Sequence, residues 1–207
     1  MGEPRRILAV GAHPDDLELG CGGTLAKLAA SGARIRAIVL SRGERGLPSG
    51  SNLDRLDETC RALGLLGVQD VVTADFPDTR FAEALTDMIA FLESEIRSFV
   101  PERLYTMDDG DRHQDHRTVH RASLVAARSV PQVLTYETPS SGADFVPHYF
   151  EELGRWLDVK LEAIAAHESQ RHREYMHPDR LRAAAMFRGQ QAGTGPSEGY
   201  AVMKLVA

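Results

Sequence analysis

From Ile7 to Ala12 the chain runs Ile-Leu-Ala-Val-Gly-Ala without a polar break, between Arg5-Arg6 and His13. A continuous rather than alternating apolar run predicts a central strand buried on both faces, as in a parallel sheet. Gly20-Cys21-Gly22-Gly23 then opens a predicted helix over 24–30, closed by Ser31-Gly32, and a second strand follows at 35–40. The Gly/Ser-rich stretch Ser41–Asn52 is longer than a connection needs and predicts a binding loop. A helix over 53–66 ends at Gly67, and a short strand at 71–74 precedes an amphipathic helix over 81–99. Next come a strand at 104–107, ending in Asp108-Asp109-Gly110-Asp111, a helix over 116–130 and a strand at 133–137. A loop over 139–147, helices near 153–171 and 179–188 and a closing strand at 201–206 complete the pattern.

Strands alternating with helices at this spacing imply βαβ units. The expected fold is α/β: one domain over 1–207, Rossmann-like and doubly wound, with helices on both faces of a mostly parallel sheet. The common order places strands one and four side by side, and ligands bind beyond the carboxyl ends where the order reverses. No internal repeat interrupts the pattern.

Composition narrows the class. The 207 residues are 43% hydrophobic and 26% charged, with a mean hydropathy of −0.28, which excludes disorder, collagen-like repeats and coiled coil. A net charge of −6, with arginines interleaved among acids, builds no broad nucleic-acid footprint. Two cysteines, Cys21 and Cys60, make no disulfide framework and fit a reducing compartment. No apolar run approaches the ~20 residues of a membrane span, and the amino terminus reads as neither a secretory signal nor a lipidation site. The expectation is a soluble cytoplasmic protein with neither nucleic-acid nor membrane partner; homo-oligomerisation is left open.

Two segments carry the chemistry, Ala12-His13-Pro14-Asp15-Asp16 after the first strand and Asp111-Arg112-His113-Gln114-Asp115-His116 after the fourth. The topology turns them toward each other and pools two or three imidazoles with several carboxylates. Three N/O ligands and an open position is the pattern of a catalytic zinc site. Pro14 stiffens the turn that carries His13. Asp15 or Asp16 alone could equally cap the next helix, but beside His13-Pro14 the metal reading prevails. His120 stands at i,i+4 from His116, a metal-pair spacing, and is read as a surface histidine. His148, His167, His172 and His177 are read as surface or outer residues. Gly20-Cys21-Gly22-Gly23 lacks dinucleotide spacing and reads as close packing at a helix start, with Cys21 a small buried filler.

The first segment resembles the Ala-His-Pro-Asp-Asp signature of the PIG-L/LmbE-like zinc-dependent N-deacetylases. His113-Gln114-Asp115-His116 is similar to that family's His-Pro-Asp-His, with Gln114 in place of proline. The likeness extends to Arg42-Gly43-Glu44, to Arg55 through Glu58, to Lys160 through Ala163, to His167-Glu168-Ser169-Gln170 and to Arg188-Gly189. The resemblance implies His13, Asp16 and His116 as metal ligands and Asp15 as general base. It makes His113, oriented by Asp115, the cationic partner of the oxyanion, and Glu44, Arg55 and Asp78 substrate contacts. Zn²⁺ is the implied cofactor, one per chain, with Fe²⁺ or Co²⁺ also suited to the donor set. The implied activity is removal of the acetyl group from an N-acetylated amino sugar or glycoconjugate. Beside it stand an amidase for a non-sugar acylamide, a Mg²⁺-dependent nucleotide-binding module, and a scaffold with a degenerate site.

Overall fold

The computed structural model describes residues 4–47 and 55–206. Its sheet holds β1 (Arg6–Gly11), β2 (Arg34–Val39), β3 (Asp70–Thr73), β4 (Arg103–Met107), β5 (Gln132–Tyr136), β6 (Tyr149–Glu152) and β7 (Ser197–Leu205). The order is β3-β2-β1-β4-β5-β7-β6. The first five strands are parallel, and β7 returns antiparallel between β5 and β6. The expected adjacency of strands one and four holds, with Ile7 opposite Arg103 and Ala9 opposite Tyr105. Helices α1 (Asp16–Ala30), α2 (Arg55–Leu65), α3 (Leu85–Phe99), α4 (Gln114–Ala126), α5 (Trp156–Ala165) and α6 (Pro178–Ala192) complete the fold. The mixed, mostly parallel sheet with its surrounding helices is the Rossmann-like α/β fold expected.

The core follows the apolar runs. Ile7, Leu8, Ala9 and Val10 have no solvent exposure, nor do Ala37 and Ile38 beside them or Leu104 and Tyr105 on the other flank. Each large apolar side chain buried this way contributes about 1.5–3 kcal/mol. Tyr136 of β5 is equally buried and donates its hydroxyl to the Val10 carbonyl at 2.8 Å. One side chain thus ties β5 to β1 beneath the site.

The structure corrects several boundaries. Helix α1 begins at Asp16, so the glycine cluster lies inside it rather than at its start. The reason is contact. A Cβ on Gly20 would stand 2.1 Å from the Tyr136 ring and one on Gly23 2.7 Å from Leu153. Small residues there let α1 press against the sheet, and the helix breaks locally at Cys21 (φ −140°, ψ 15°). The helix expected over 153–171 is shorter, because the chain leaves α5 at Ala165 and re-coils in a single tight turn, Glu168–Gln170. Strand β6 was not expected at all, and β7 starts at Ser197, four residues earlier than expected. Positions 53 and 54 of the second expected helix, and 48–52 of the Ser41–Asn52 loop, lie outside the described residues. Among those described, no helix is long and apolar enough to cross a membrane.

Candidate active site and metal centre

The carboxyl end of β1 delivers His13, Pro14 and Asp15 onto the start of α1. Neither acid caps that helix. Asp15 occupies the N-cap position with left-handed backbone (φ 97°, ψ −22°) and no side-chain cap bond; such a conformation in a non-glycine residue costs about 1–3 kcal/mol. Arg55, at the start of α2, holds the strained residue from behind. Its guanidinium donates to Asp15 Oδ2 at 2.9 Å, to the Pro14 carbonyl at 2.6 Å and to the Gly43 carbonyl at 3.1 Å. Asp16 turns the other way: its Oδ2 accepts from the His13 backbone N–H at 2.7 Å.

The carboxyl end of β4 supplies the opposite wall. His116 lies in the first turn of α4, and its Nδ1 meets Asp111 Oδ2 at 2.9 Å. Asp111 also accepts from the His113 backbone N–H (2.7 Å), Thr138 (2.5 Å) and Ser140 (2.6 Å), so the histidine's outer partner is itself fixed. His113 caps α4, its Nδ1 accepting from the Asp115 N–H at 3.2 Å. The Asp115 carboxylate points elsewhere than the expected orientation of His113. It accepts from the Thr79 and Phe81 N–H groups (2.7 and 3.3 Å) and meets His13 Nε2 at 3.2 Å. Backbone, not carboxylate, links Asp115 to His113. Gln114, the departure from proline at this helix start, donates its amide to the Thr79 carbonyl and anchors the loop carrying Asp78.

The donor set fits a divalent ion. Asp16 spans the two imidazoles with its two oxygens, Oδ2 standing 3.5 Å from His13 Nδ1 and Oδ1 3.4 Å from His116 Nε2. Two ligand atoms about 2.1 Å from an ion at the tetrahedral angle stand about 3.4 Å apart. On the far side of each ring stands a carboxylate: Asp111 behind His116, and Asp78 and Asp115, both at 3.2 Å, behind His13. Metal-ligating histidines are oriented in this way by outer acids. Among the described residues, the groups whose ligand atoms all lie within 4.8 Å of one another are His13, His113 and His116, and His13, Asp78 and Asp115; the expected ligand Asp16 stands beside the first group without completing it.

Burial and mutual charge set the protonation of the cluster. Burial lifts Asp15 to about 6; Arg55 opposes the rise and Asp16 adds to it. Burial pushes Asp16 the same way, but His116 and His13 outweigh it and hold this carboxyl well below its usual range. Burial alone would depress His116, yet Asp16 and Asp111 carry it to about 9. His13 is likewise raised against burial by Asp115, Asp16 and Asp78. His113 goes down, first through burial and then through the charges of His13 and His116, the opposite of the expected bias toward imidazolium. These directions describe the metal-free cluster.

A cavity of about 410 Å³ opens over the cluster. Its lining includes His13, Asp15, Asp16, Arg55, Asp78, His113 and His116. Glu44 is not among its described lining residues; its carboxylate accepts from the Asp78 N–H at 3.1 Å, which places it as a brace of the Asp78 loop. Thr138, Ser140, Gln170, Arg173 and Tyr175 also line the cavity, and sequence reasoning singled out none of them, although Gln170 falls in the family-like stretch. His120 is buried rather than exposed, its Nδ1 against the Met107 carbonyl at 3.0 Å. His167 is buried as well and faces Glu18 at 3.2 Å without a well-aligned hydrogen bond. Cys21 is fully buried, as a filler would be.

A doubly wound α/β domain with His/Asp clusters from β1 and β4 at its switch point defines the class. The family model described as PIG-L: GlcNAc-PI de-N-acetylase matches residues 8–127. The "Uncharacterized deacetylase YaiS" of Escherichia coli is 46% identical over 169 residues, 79% of this chain and 90% of that protein. The diacetylchitobiose deacetylase of Thermococcus kodakarensis is 27% identical, with 94% of this chain and 82% of that one covered. Among solved structures, the conserved protein TT1542 from Thermus thermophilus superposes with a TM-score of 0.85 at 26% identity, over 97% of this chain and 96% of that one. The chain therefore belongs to the PIG-L family of de-N-acetylases.

Proposed function

We propose that the chain is a zinc-dependent hydrolase that removes the acetyl group from an N-acetylated amino sugar or its glycoconjugate, releasing acetate and a free amine. The observation that carries this reading is Asp15: an ionisable carboxylate at about 6, free of capping duty and lining the cavity beside His13, Asp16 and His116. His13, Asp16 and His116 would hold the ion. When bound, such an ion supplies Lewis acidity and lowers the pKa of a water it polarises from 15.7 toward ~7. Asp15 accepts the proton of the attacking water and returns it to the departing nitrogen. His113, half-buried on the opposite wall, donates to the developing oxyanion. Arg55 keeps Asp15 aimed, and Asp78 steadies His13 while lining the substrate's path.

Relatives support the substrate class. Two of them are named as a diacetylchitobiose deacetylase and, at 31% identity, a 1D-myo-inositol 2-acetamido-2-deoxy-alpha-D-glucopyranoside deacetylase from Saccharopolyspora erythraea; both names describe N-acetylated amino sugars. The glycine cluster lends the nucleotide-binding alternative no phosphate cradle, because a Cβ at Gly20 or Gly23 would meet the Tyr136 ring or Leu153. Acetate release from N-acetylglucosamine derivatives, with metal content measured on the same sample, tests the proposal. Zinc-loaded protein that releases no acetate from any of them refutes it.

A further inference from the structure

Helix α1 leaves helical geometry at Cys21 (φ −140°, ψ 15°), and two buried, charged side chains that the reaction does not use meet it there. In a regular helix the Gly23 N–H serves the Leu19 carbonyl. Here side chains reach both ends of that bond. Lys160 of α5 donates to the Leu19 carbonyl at 2.7 Å, while Glu198 of β7 accepts from the Gly23 and Thr24 N–H groups at 3.0 and 2.8 Å. Lys160 also donates to Glu198 at 2.6 Å, and the Tyr200 hydroxyl lies 2.9 Å from the second Glu198 oxygen. Kinks form where side chains enter the i→i−4 ladder, and this pair enters it with matched signs. The cation sits at the carbonyl end of the first segment and the carboxylate at the N–H end of the second, as the dipole of each segment favours.

A buried ion pair is a weak source of net stability, since apolar residues of the same volume often serve as well or better. Lys160 and Glu198 are 7% and 5% exposed, so the pair calls for another role. The segment before the break, Asp16 to Gly20, is little more than one turn and too short to hold a direction by itself. The segment after it is held by packing: Leu25 is fully buried, and a Cβ at Gly23 would stand 2.7 Å from Leu153. The short first segment carries Asp16 at its head, between the His13 and His116 rings, and near its end Leu19, which lines the cavity over the cluster. Its direction decides where the Asp16 carboxylate stands, and Lys160 grips it at Leu19.

We propose that Lys160 and Glu198 are positioning residues for the metal centre: inserted as a pair into the break of α1, they fix the direction of its first turn and with it the place of the Asp16 carboxylate. The inference rests on the reading of His13, Asp16 and His116 as the ligands of the ion.

Zinc affinity, measured by chelator competition on folded protein, separates positioning from plain stabilisation. Lys160→Met/Glu198→Leu removes both charges together and strands neither. A pair that only stabilised the fold would be replaced at little cost, whereas the loss of a wedge should loosen Asp16. Zinc binding should weaken by about tenfold or more, as it does when the outer partner of a metal ligand is lost, and kcat on N-acetylglucosamine should fall with it. Leu92→Ala, which opens a cavity at a fully buried position of α3, is the destabilised control and should keep zinc affinity within about twofold, as distant sites act independently. Wild-type affinity in the double variant, or an equal loss in Leu92→Ala, overturns the proposal. Should the double variant not fold, Glu198→Gln keeps the shape of the side chain and one acceptor: weakened zinc binding there upholds the role, and unchanged affinity overturns it. Zinc-loaded wild-type protein that releases no acetate refutes the deacetylase reading alone, and the zinc measurements still decide the positioning role. Wild-type protein that takes up no zinc removes the ligand reading and this role with it.

Discussion

Replacing Arg55 by methionine removes the clamp on Asp15 while keeping comparable bulk. Arg55 is only 5% exposed, and its three partners are the Asp15 carboxylate and the Pro14 and Gly43 carbonyls. Breaking one side of a buried ion pair costs about 3–5 kcal/mol. The cost should depend on pH, with a definite sign. Asp15 already stands at about 6 in the folded chain against an ordinary 3.8, through burial, and Arg55, ahead of His167, limits the rise. Without it the carboxyl moves higher still. The folded state then holds a proton that the unfolded state has released, so stability falls as pH climbs from the ordinary carboxylate range through the folded value. Urea unfolding of metal-free Arg55→Met should therefore show the full loss near pH 8 and a smaller one near pH 5. The acidic limb of kcat/KM against pH should move to higher pH, with metal content unchanged. A loss below about 1 kcal/mol that is equal at both pH values, with the limb unmoved, would show that Arg55 does not govern Asp15.

Asp15→Asn should keep near-normal metal and lose about 10²–10⁴ in kcat, whereas Asp16→Ala should empty the site; elemental analysis beside rates decides, and the reverse pattern exchanges the two roles. His113→Ala should retain metal and lose kcat, and loss of the ion from that variant would instead make His113 a ligand. Asp111→Ala frees the outer nitrogen of His116 and should weaken metal binding by about 10–100-fold, read by competition with a chelator; unchanged affinity would leave Asp111 as loop structure only. Because His116 stands at about 9 and His13 is also raised without the ion, metal entry at pH 7 must expel protons. Apparent affinity should then rise by about tenfold per pH unit for each proton displaced, and pH-independent binding with no proton release in calorimetry would contradict the protonation described.

Strands buried on both faces were legible because burial leaves an unbroken apolar signature, as in Ile7–Val10. The strands that escaped lack it. β6 forms an edge, and its Tyr-Phe-Glu-Glu is only partly buried. The opening of β7 hides behind Ser197 and Glu198, which read as surface but are buried. Glu198 is satisfied by Lys160 and by the N–H groups of Gly23 and Thr24 at 3.0 and 2.8 Å; those partners lie on α5 and α1, far away in sequence. Of the site, the two histidine segments announced themselves through residue type and spacing. Thr138, Ser140 and Tyr175 could not, because a hydroxyl beside a buried acid looks in sequence like any loop hydroxyl. The buried state of His120 and His167 was illegible for the same reason: each is matched by a group, the Met107 carbonyl or Glu18, that only the fold brings near.

The neighbouring acids Asp15 and Asp16 show how one turn yields two functions. Left-handed backbone at Asp15 swings successive side chains to different sides of the chain, and Asp16 is thereby free to bond the His13 N–H and face both imidazoles. With ordinary helical entry, Asp15 would accept from the exposed N–H groups of α1, as N-cap acids do, and its charge would be stabilised there. Kept from that bond, it remains near 6, where a carboxyl is able both to take and to release a proton close to neutrality. The strain is sustained by Arg55, which reaches from α2 to the Pro14 carbonyl and the Asp15 carboxylate at once. Lysine could offer the charge but not this planar, two-point grip. The basicity of Asp15 thus follows from three features acting together: a backbone conformation that denies it a helix cap, burial that raises it, and a guanidinium that stops the rise short of permanent protonation.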